Sequence, residues 1–166
     1  MQAIVYTSNT GHTKKYAELL GELTNWPVYP LKTAKKQLKK HTPIIYLGWL
    51  FVGSIKGYKQ ASKQFDVKAL CGVGLCDTGC MLDEIRKNLA LSDNFPLFTM
   101  QGGIDKQKLR GINKFMIKML IKMLSNKKDK TADDNRMIEL LLSDTDYVCI
   151  NNTQSFQDWY KANNNA

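Results

Sequence analysis

Acidic side chains are scarce in this chain of 166 residues: 15 Asp and Glu stand against 24 Lys and Arg, for a formal charge of +9. Such a basic surface suits nucleic acid, anionic lipid or an acidic partner. Long apolar runs are missing too. No stretch of about 18 uncharged apolar residues occurs, which excludes a membrane-spanning helix. No charged region followed by an apolar one precedes the first β-branched run, since Gln2 already stands beside AIVY, so the chain is expected to be intracellular. Cysteine is sparse. Cys71, Cys76, Cys80 and Cys149 contain no C-x-x-C pair, and the four-residue spacing of Cys76 and Cys80 suits one face of a helix better than a zinc knuckle. All four are expected to be small buried hydrophobes in a reducing compartment. No Ser/His/Asp triad, paired carboxylates or metal-ligating set stands out, so no catalytic side chain and no metal site is assigned.

Hydrophobic content of 43% and charged content of 23% are ordinary for a globular chain, and the length suits one domain, residues 1–166. The residues alternate between strand and helix patterns without internal repeats. Short β-branched or apolar runs predict strands at AIVYT (3–7), PVYPL (27–31, an edge strand), TPIIYLG (42–48), VKALCGVGL (67–75) and NFPLFTM (94–100). Between them, helical spacing predicts helices from Thr10 or Thr13 through Leu23, at about 33–40, near 58–65 and over 80–91, the last capped near Thr78. WLFVGSIKG (49–57) is expected to be a loop. A helix over 111–124, a polar linker over 127–134, a helix at 135–143, a strand-like DYVCI (146–150) and a last helix near 154–161 complete the pattern, and NNNA (163–166) is expected to fray. This alternation predicts an α/β fold: a three-layer, doubly wound, parallel five-stranded sheet in the order 2-1-3-4-5. Its crevice opens at the carboxyl ends of strands 1 and 3, where TSNTGHT (7–13) and WLFVGSIKG lie.

TSNTGHT has the chemistry of a phosphate loop. Ser8, Thr10 and Thr13 offer hydroxyls and Asn9 an amide. Gly11 lets backbone amides approach closely, and a helix starting here aims its free N–H groups at the same point. The loop lacks the lysine of G-x-x-x-x-G-K-[ST] and is not G-x-G-x-x-G, so neither a nucleotide-hydrolase loop nor a nicotinamide dinucleotide fingerprint is present. A plain helix cap is the alternative, although a cap needs one such residue rather than four.

Ser8, Thr10, Gly11 and Thr13 match the [ST]-x-T-G-x-T signature, and the chain resembles the flavodoxin-like family. The resemblance implies an FMN cofactor whose phosphate meets Thr7, Ser8, Asn9, Thr10, Gly11, His12 and Thr13, with the His12 ring either at the phosphate or turned away while its backbone serves. YLGWLFVGSIKG (46–57) resembles the family's second flavin loop. There Trp49, Leu50, Phe51, Val52 and Gly53 would border the ring system, with Phe51 before Trp49 as the stacking residue and core packing as the alternative role of each. GVGLCD (72–77) stands in the place of the third flavin loop and supplies Gly74, Leu75 and Cys76. MQGGIDKQKLRGINKFMIKMLIKML (100–124) is similar to one branch, which includes the menaquinone-dependent protoporphyrinogen dehydrogenases. That likeness implies an FMN-dependent oxidoreductase linked to quinone at a membrane. A soluble electron carrier is the alternative. A non-redox module that binds lipid or nucleic acid through its lysines is a second one, although no nucleic-acid motif is present and no nucleic acid is expected.

Between residues 104 and 130 nine basic residues stand against two acidic ones. On a helical wheel Lys114, Lys118 and Lys122 form one stripe. Ile112, Phe115, Met116, Met119, Leu120 and Met123 form the opposite face, with Ile117, Ile121 and Leu124 on the flank. The apolar arc exceeds the roughly 100° that a sheet-packing helix needs. The C-terminal helices over 135–161, a redox partner or an anionic membrane surface are the candidates to cover it. The expected place is the cytoplasm, peripheral on the inner face of the membrane in the last case.

Overall fold

The computed structural model describes residues 2–164. Asn165 and Ala166, part of the terminal NNNA expected to fray, lie outside the described residues. The five expected strands are all present, as β1 (Ala3–Thr7), β2 (Val28–Pro30), β3 (Pro43–Phe51), β5 (Asp66–Gly74) and β6 (Leu97–Gln101). They pair in the order β2-β1-β3-β5-β6, every pair parallel. This is the expected 2-1-3-4-5 order with one short extra strand set aside, β4 (Ser54–Ile55), which pairs antiparallel with β3. Parallel strands are buried on both faces, and Ile4, Val5, Ile44, Ile45, Tyr46, Leu47, Leu70 and Cys71 are each at most 1% exposed.

One face of the sheet carries α2 (Leu31–Gln37), α3 (Tyr58–Ala61) and α4 (Leu82–Leu89), whose Leu31, Ala34, Ala61 and Ile85 join Val5, Ile44 and Leu70 in one cluster. The other face carries α1 (His12–Thr24) and α7 (Gln154–Asn164), where Tyr16, Ala17, Leu20 and Phe156 pack against Ile45, Ala69 and Met100. Trp26, Phe98, Trp159 and Tyr160 extend that layer through ring contacts around Phe156.

The remaining elements sit apart from both faces. α5 (Gly111–Ser125) and α6 (Ala132–Leu142) pack on each other, with Ile104, Leu109 and Leu141 buried between them and Leu75. A two-stranded ribbon, β7 (Gly103–Ile104) with β8 (Thr145–Asp146), fastens this pair beside the start of α1.

Several expectations are corrected. The 49–57 segment is a β-hairpin, because β3 runs on to Phe51 and Val52 and Gly53 both take positive φ (47° and 62°), as a tight hairpin turn requires. Thr78 does not cap the helix after β5: α4 starts at Leu82 behind Met81, and the Thr78 hydroxyl accepts from the Gln101 amide. Cys76 and Cys80 lie in the turn before α4, not on a helix. They face each other across that turn and form a disulfide, so two of the four cysteines are neither free nor buried. Cys71 is buried as expected, whereas Cys149 is exposed. The polar linker ends early, because Thr131 and Asp134 form a capping box that starts α6. DYVCI is strand only at Asp146; a 3-10 turn, Ile150–Thr153, follows.

Candidate functional site

The sheet reverses its winding between β1 and β3, and the loops leaving their carboxyl ends flank a crevice. The first loop turns at Gly11, whose φ of 106° is a left-handed conformation that glycine adopts without strain. A Cβ there would meet nothing within 4 Å, so the space over the turn is open. α1 begins with Gly11 as its cap, a residue with no side chain to bond the helix amides. The first helical bond joins the Lys15 amide to the Gly11 carbonyl (3.0 Å). The amides of His12, Thr13 and Lys14 therefore have no acceptor within the helix. Four polar side chains surround these donors, yet none caps the helix.

The side chains of this loop divide their work. Ser8 Oγ accepts from the Gly11 amide (3.2 Å) and shapes the turn. Thr7 Oγ1 is bonded to the Tyr46 hydroxyl (2.7 Å), which also donates to the Lys56 carbonyl (3.0 Å). Burial pushes the Tyr46 phenol up to about 12, so it stays a neutral tie between the two loops. Asn9 Oδ1 accepts from Asn113 Nδ2 (2.9 Å), which docks the start of α5 onto the loop. Thr10 and Thr13 are 8% and 2% exposed, and with Asn9 and His12 they border the crevice. Both His12 ring nitrogens face partners within the chain. Nδ1 lies 3.1 Å from Thr10 Oγ1, and Nε2 lies 3.7 Å from Asp146 Oδ1. Of the two roles expected for His12, the geometry favours the backbone amide as its contribution to an anion.

The hairpin forms the second wall. Trp49 and Phe51, two apart on β3, project to the same side with ring centroids 5.7 Å apart. The Lys56 ammonium lies 4.9 Å from the Phe51 centroid and 5.6 Å from that of Trp49, in cation–π range. Leu50 points the other way and seats over Gly72 and Gly74, where a Cβ would come within 3 Å of it. Val52 stands at the exposed tip, and the Gly53 carbonyl accepts from Asn88 Nδ2 (3.1 Å), which braces the hairpin on α4. Gly74, Leu75 and Cys76 leave the end of β5 and form the third wall. The Gly74 carbonyl accepts from the Gly102 amide (2.7 Å).

The three walls enclose one cavity of about 780 Å³, within the range of roughly 300–1,000 Å³ typical of ligand sites. Its far end is mainly apolar, lined from the α5–α6 side by Ile104, Leu109, Ile117, Leu120 and Leu124, with the charged Lys127, Asp133, Asp134 and Arg136 beside them. Of the residues expected here, all but Thr7, Ser8 and Gly11 border the cavity, and those three shape the loop behind it. Sequence reasoning missed Tyr46, Lys56, Asn113, Cys80 and Asp146. Lys56 follows Gly53 by three residues and pairs back onto Trp49 through its amide (3.0 Å), a relation visible only once the hairpin is known.

A family model described as a flavodoxin domain matches residues 3–131. The chain belongs to the flavodoxin family. Neither the curated proteins nor the solved structures compared with it gave a match. The match spans the flavodoxin sheet, the three walls and α5, and ends at the cap of α6. The donor set fits the phosphate that a flavodoxin domain would hold: free amides at a helix start, hydroxyls from two buried threonines and an open glycine turn, with no carboxylate in the loop. Aromatic rings and glycine backbone opposite that end fit a planar ring system.

Proposed function

We propose that this flavodoxin domain binds FMN and works as a redox protein, exchanging electrons with an apolar acceptor of the quinone class or with a redox partner protein. One observation carries the reading: a single cavity joins an uncapped helix start and its hydroxyls to an aromatic hairpin and then to an apolar annex. The amides of residues 12–14, with Asn9, Thr10 and Thr13, would hold the phosphate. Phe51, Trp49, Gly74, Leu75 and Cys76 would border the ring system. Bound FMN supplies the one- and two-electron chemistry; the chain positions it and excludes water. The annex under α5 and α6 suits an acceptor with an apolar body and polar edge groups, because Ile117, Leu120 and Leu124 line it together with Lys127 and Arg136.

The visible spectrum of the purified protein and titration of its apo form with FMN test this. Flavin bands, or an FMN-dependent thermal upshift, are expected; saturation at 100 times Kd adds about 2.7 kcal/mol. Thr10→Val and Thr13→Val should each weaken FMN by about tenfold or more, since a hydrogen bond to a charged group is worth about 1.5–3 kcal/mol. A protein that neither carries nor takes up FMN would overturn the reading.

Two jobs fit this site. One is a membrane-side dehydrogenase, as in the protoporphyrinogen dehydrogenase branch; the other is a soluble carrier. The outward stripe of α5 favours the first, because it sets exposed apolar side chains beside lysines on a helix whose other face lines the annex. Oxidation of protoporphyrinogen with a menaquinone analogue as acceptor is the assay that separates them.

A further inference from the structure

The turn between β5 and α4 holds a disulfide that redox function at the flavin alone does not require. Cys76 and Cys80 are bonded across Asp77, Thr78 and Gly79, and both border the cavity described above. The three enclosed residues are exposed, so a solvent-borne reagent can reach the bond from outside while its inner side meets the cavity. The turn keeps its place by other means. The Gly79 amide donates to the Thr99 carbonyl (3.1 Å), Thr99 Oγ1 donates to the Cys80 carbonyl (2.8 Å), and Thr78 Oγ1 accepts from the Gln101 amide (3.0 Å). Arg136 grips Asp77 through both carboxylate oxygens (2.9 and 3.2 Å). Reduction would therefore leave two thiols close together rather than release the turn. Cys71, on β5 ahead of the turn, differs: it is fully buried, and burial raises its thiol well above the ordinary range, which makes it inert.

We propose that Cys76 and Cys80 form a second, two-electron redox centre that accepts electrons from a dithiol donor and hands them to the flavin in the adjoining cavity. A donor thiolate attacks one sulfur, the Cys76–Cys80 bond breaks, and a mixed disulfide forms. The second donor thiol then displaces it, leaving an oxidised donor and two protein thiols. Those thiols next give two electrons to oxidised flavin. The S–S bond re-forms, one thiol proton goes to the flavin and the other to solvent. This inference rests on the FMN reading above, and it assigns the chemical class of the electron donor.

The test has two arms. Without flavin, alkylation followed by mass measurement should label Cys149 alone in the folded protein. It should label two further thiols after mild dithiothreitol treatment, and one again after oxidised dithiothreitol is returned. Labelling of Cys76 and Cys80 before reduction, or failure of the bond to re-form, overturns the proposal. With FMN loaded and oxygen excluded, dithiothreitol should bleach the flavin band, and Cys80→Ser should slow this by about tenfold or more, because a dithiol held beside its acceptor outcompetes free dithiol. Photoreduction of both proteins measures the bound flavin against which the rates are scaled. Equal rates in the two proteins overturn the hand-off, whereas loss of FMN binding by the wild-type protein would overturn the flavin reading itself.

Discussion

His12 shows how one residue ties the loop after β1 to the rest of the chain. It opens α1, is 7% exposed, and meets Thr10 on one ring nitrogen and Asp146 near the other. Gly103 makes this contact feasible, since a Cβ there would lie 2.0 Å from the Thr145 carbonyl and 2.8 Å from His12 Nε2. Burial lowers the His12 pKa below 6.5, and the nearby Asp146 charge only partly offsets it. The unfolded chain therefore takes up the proton first, and stability falls as pH drops through 6.5 toward the folded-state value. The urea midpoint should decline from about pH 7.5 to about pH 5, with a smaller decline in His12→Gln; parallel curves for the two proteins would sink this account. At this scale the sequence was legible where residue type alone decides. Ser8, Thr10, Gly11 and Thr13 are hydroxyls and a glycine at a strand end, and they fall where such residues are useful. The partners of His12 and the bond between Cys76 and Cys80 were not legible, since they depend on how turns fold back.

Among the elements, the hairpin and α5 carry the sharpest consequences. Val52 holds a φ of 47° at 61% exposure, a poor conformation for a β-branched residue. Asn tolerates it, and Val52→Asn should raise stability by about 1 kcal/mol, the usual cost of a left-handed residue; an unchanged or lower urea midpoint contradicts this. Because Val-Gly is a weak turn signal, the segment resembled a loop in sequence. α5 shows the opposite case, a helix obvious from its spacing but with an ambiguous inner face. The face that packs on α6 is Ile117, Leu120, Ile121 and Leu124, three of them expected as a flank and Leu120 as part of the main apolar face. Ile112, Phe115, Met119 and Met123 stay 57–74% exposed. α6 thus covers part of the helix, whereas Phe156, Trp159 and Tyr160 of α7 pack in the cluster on the sheet. If this stripe seats on anionic lipid, vesicles containing phosphatidylserine should co-sediment the wild-type protein, and a Lys114/Lys118/Lys122→Glu variant should remain in the supernatant, each lysine contributing about 1 kcal/mol. Equal sedimentation would leave the lysines without that role. No helix among the described residues is long and apolar enough to cross a membrane.

Across the whole molecule, strand order was readable because each parallel strand is a short apolar run separated by a helical stretch, and right-handed crossovers leave few arrangements. The three layers and the last helix were readable as well, but not that the distant α7 shares a face of the sheet with α1, where Phe156 packs with Tyr16 and Leu20. The apolar residues fall into three clusters, two on the faces of the sheet and a smaller one between α5, α6 and the β7–β8 ribbon. Among the described residues three members of that small cluster are buried, Ile104, Leu109 and Leu141, at 5%, 7% and 2% exposure. A region with so little buried apolar surface opens at lower free energy than the sheet. Amide hydrogen exchange should accordingly resolve two tiers, with α5 and α6 exchanging through a local opening and β1, β3 and β5 only through global unfolding. A single tier would show that the two helices melt with the sheet. The annex is then a room with a hinged wall: on the proposed function a bulky ring system would enter by a brief lifting of two helices, while the strand ends proposed to hold its phosphate stay still.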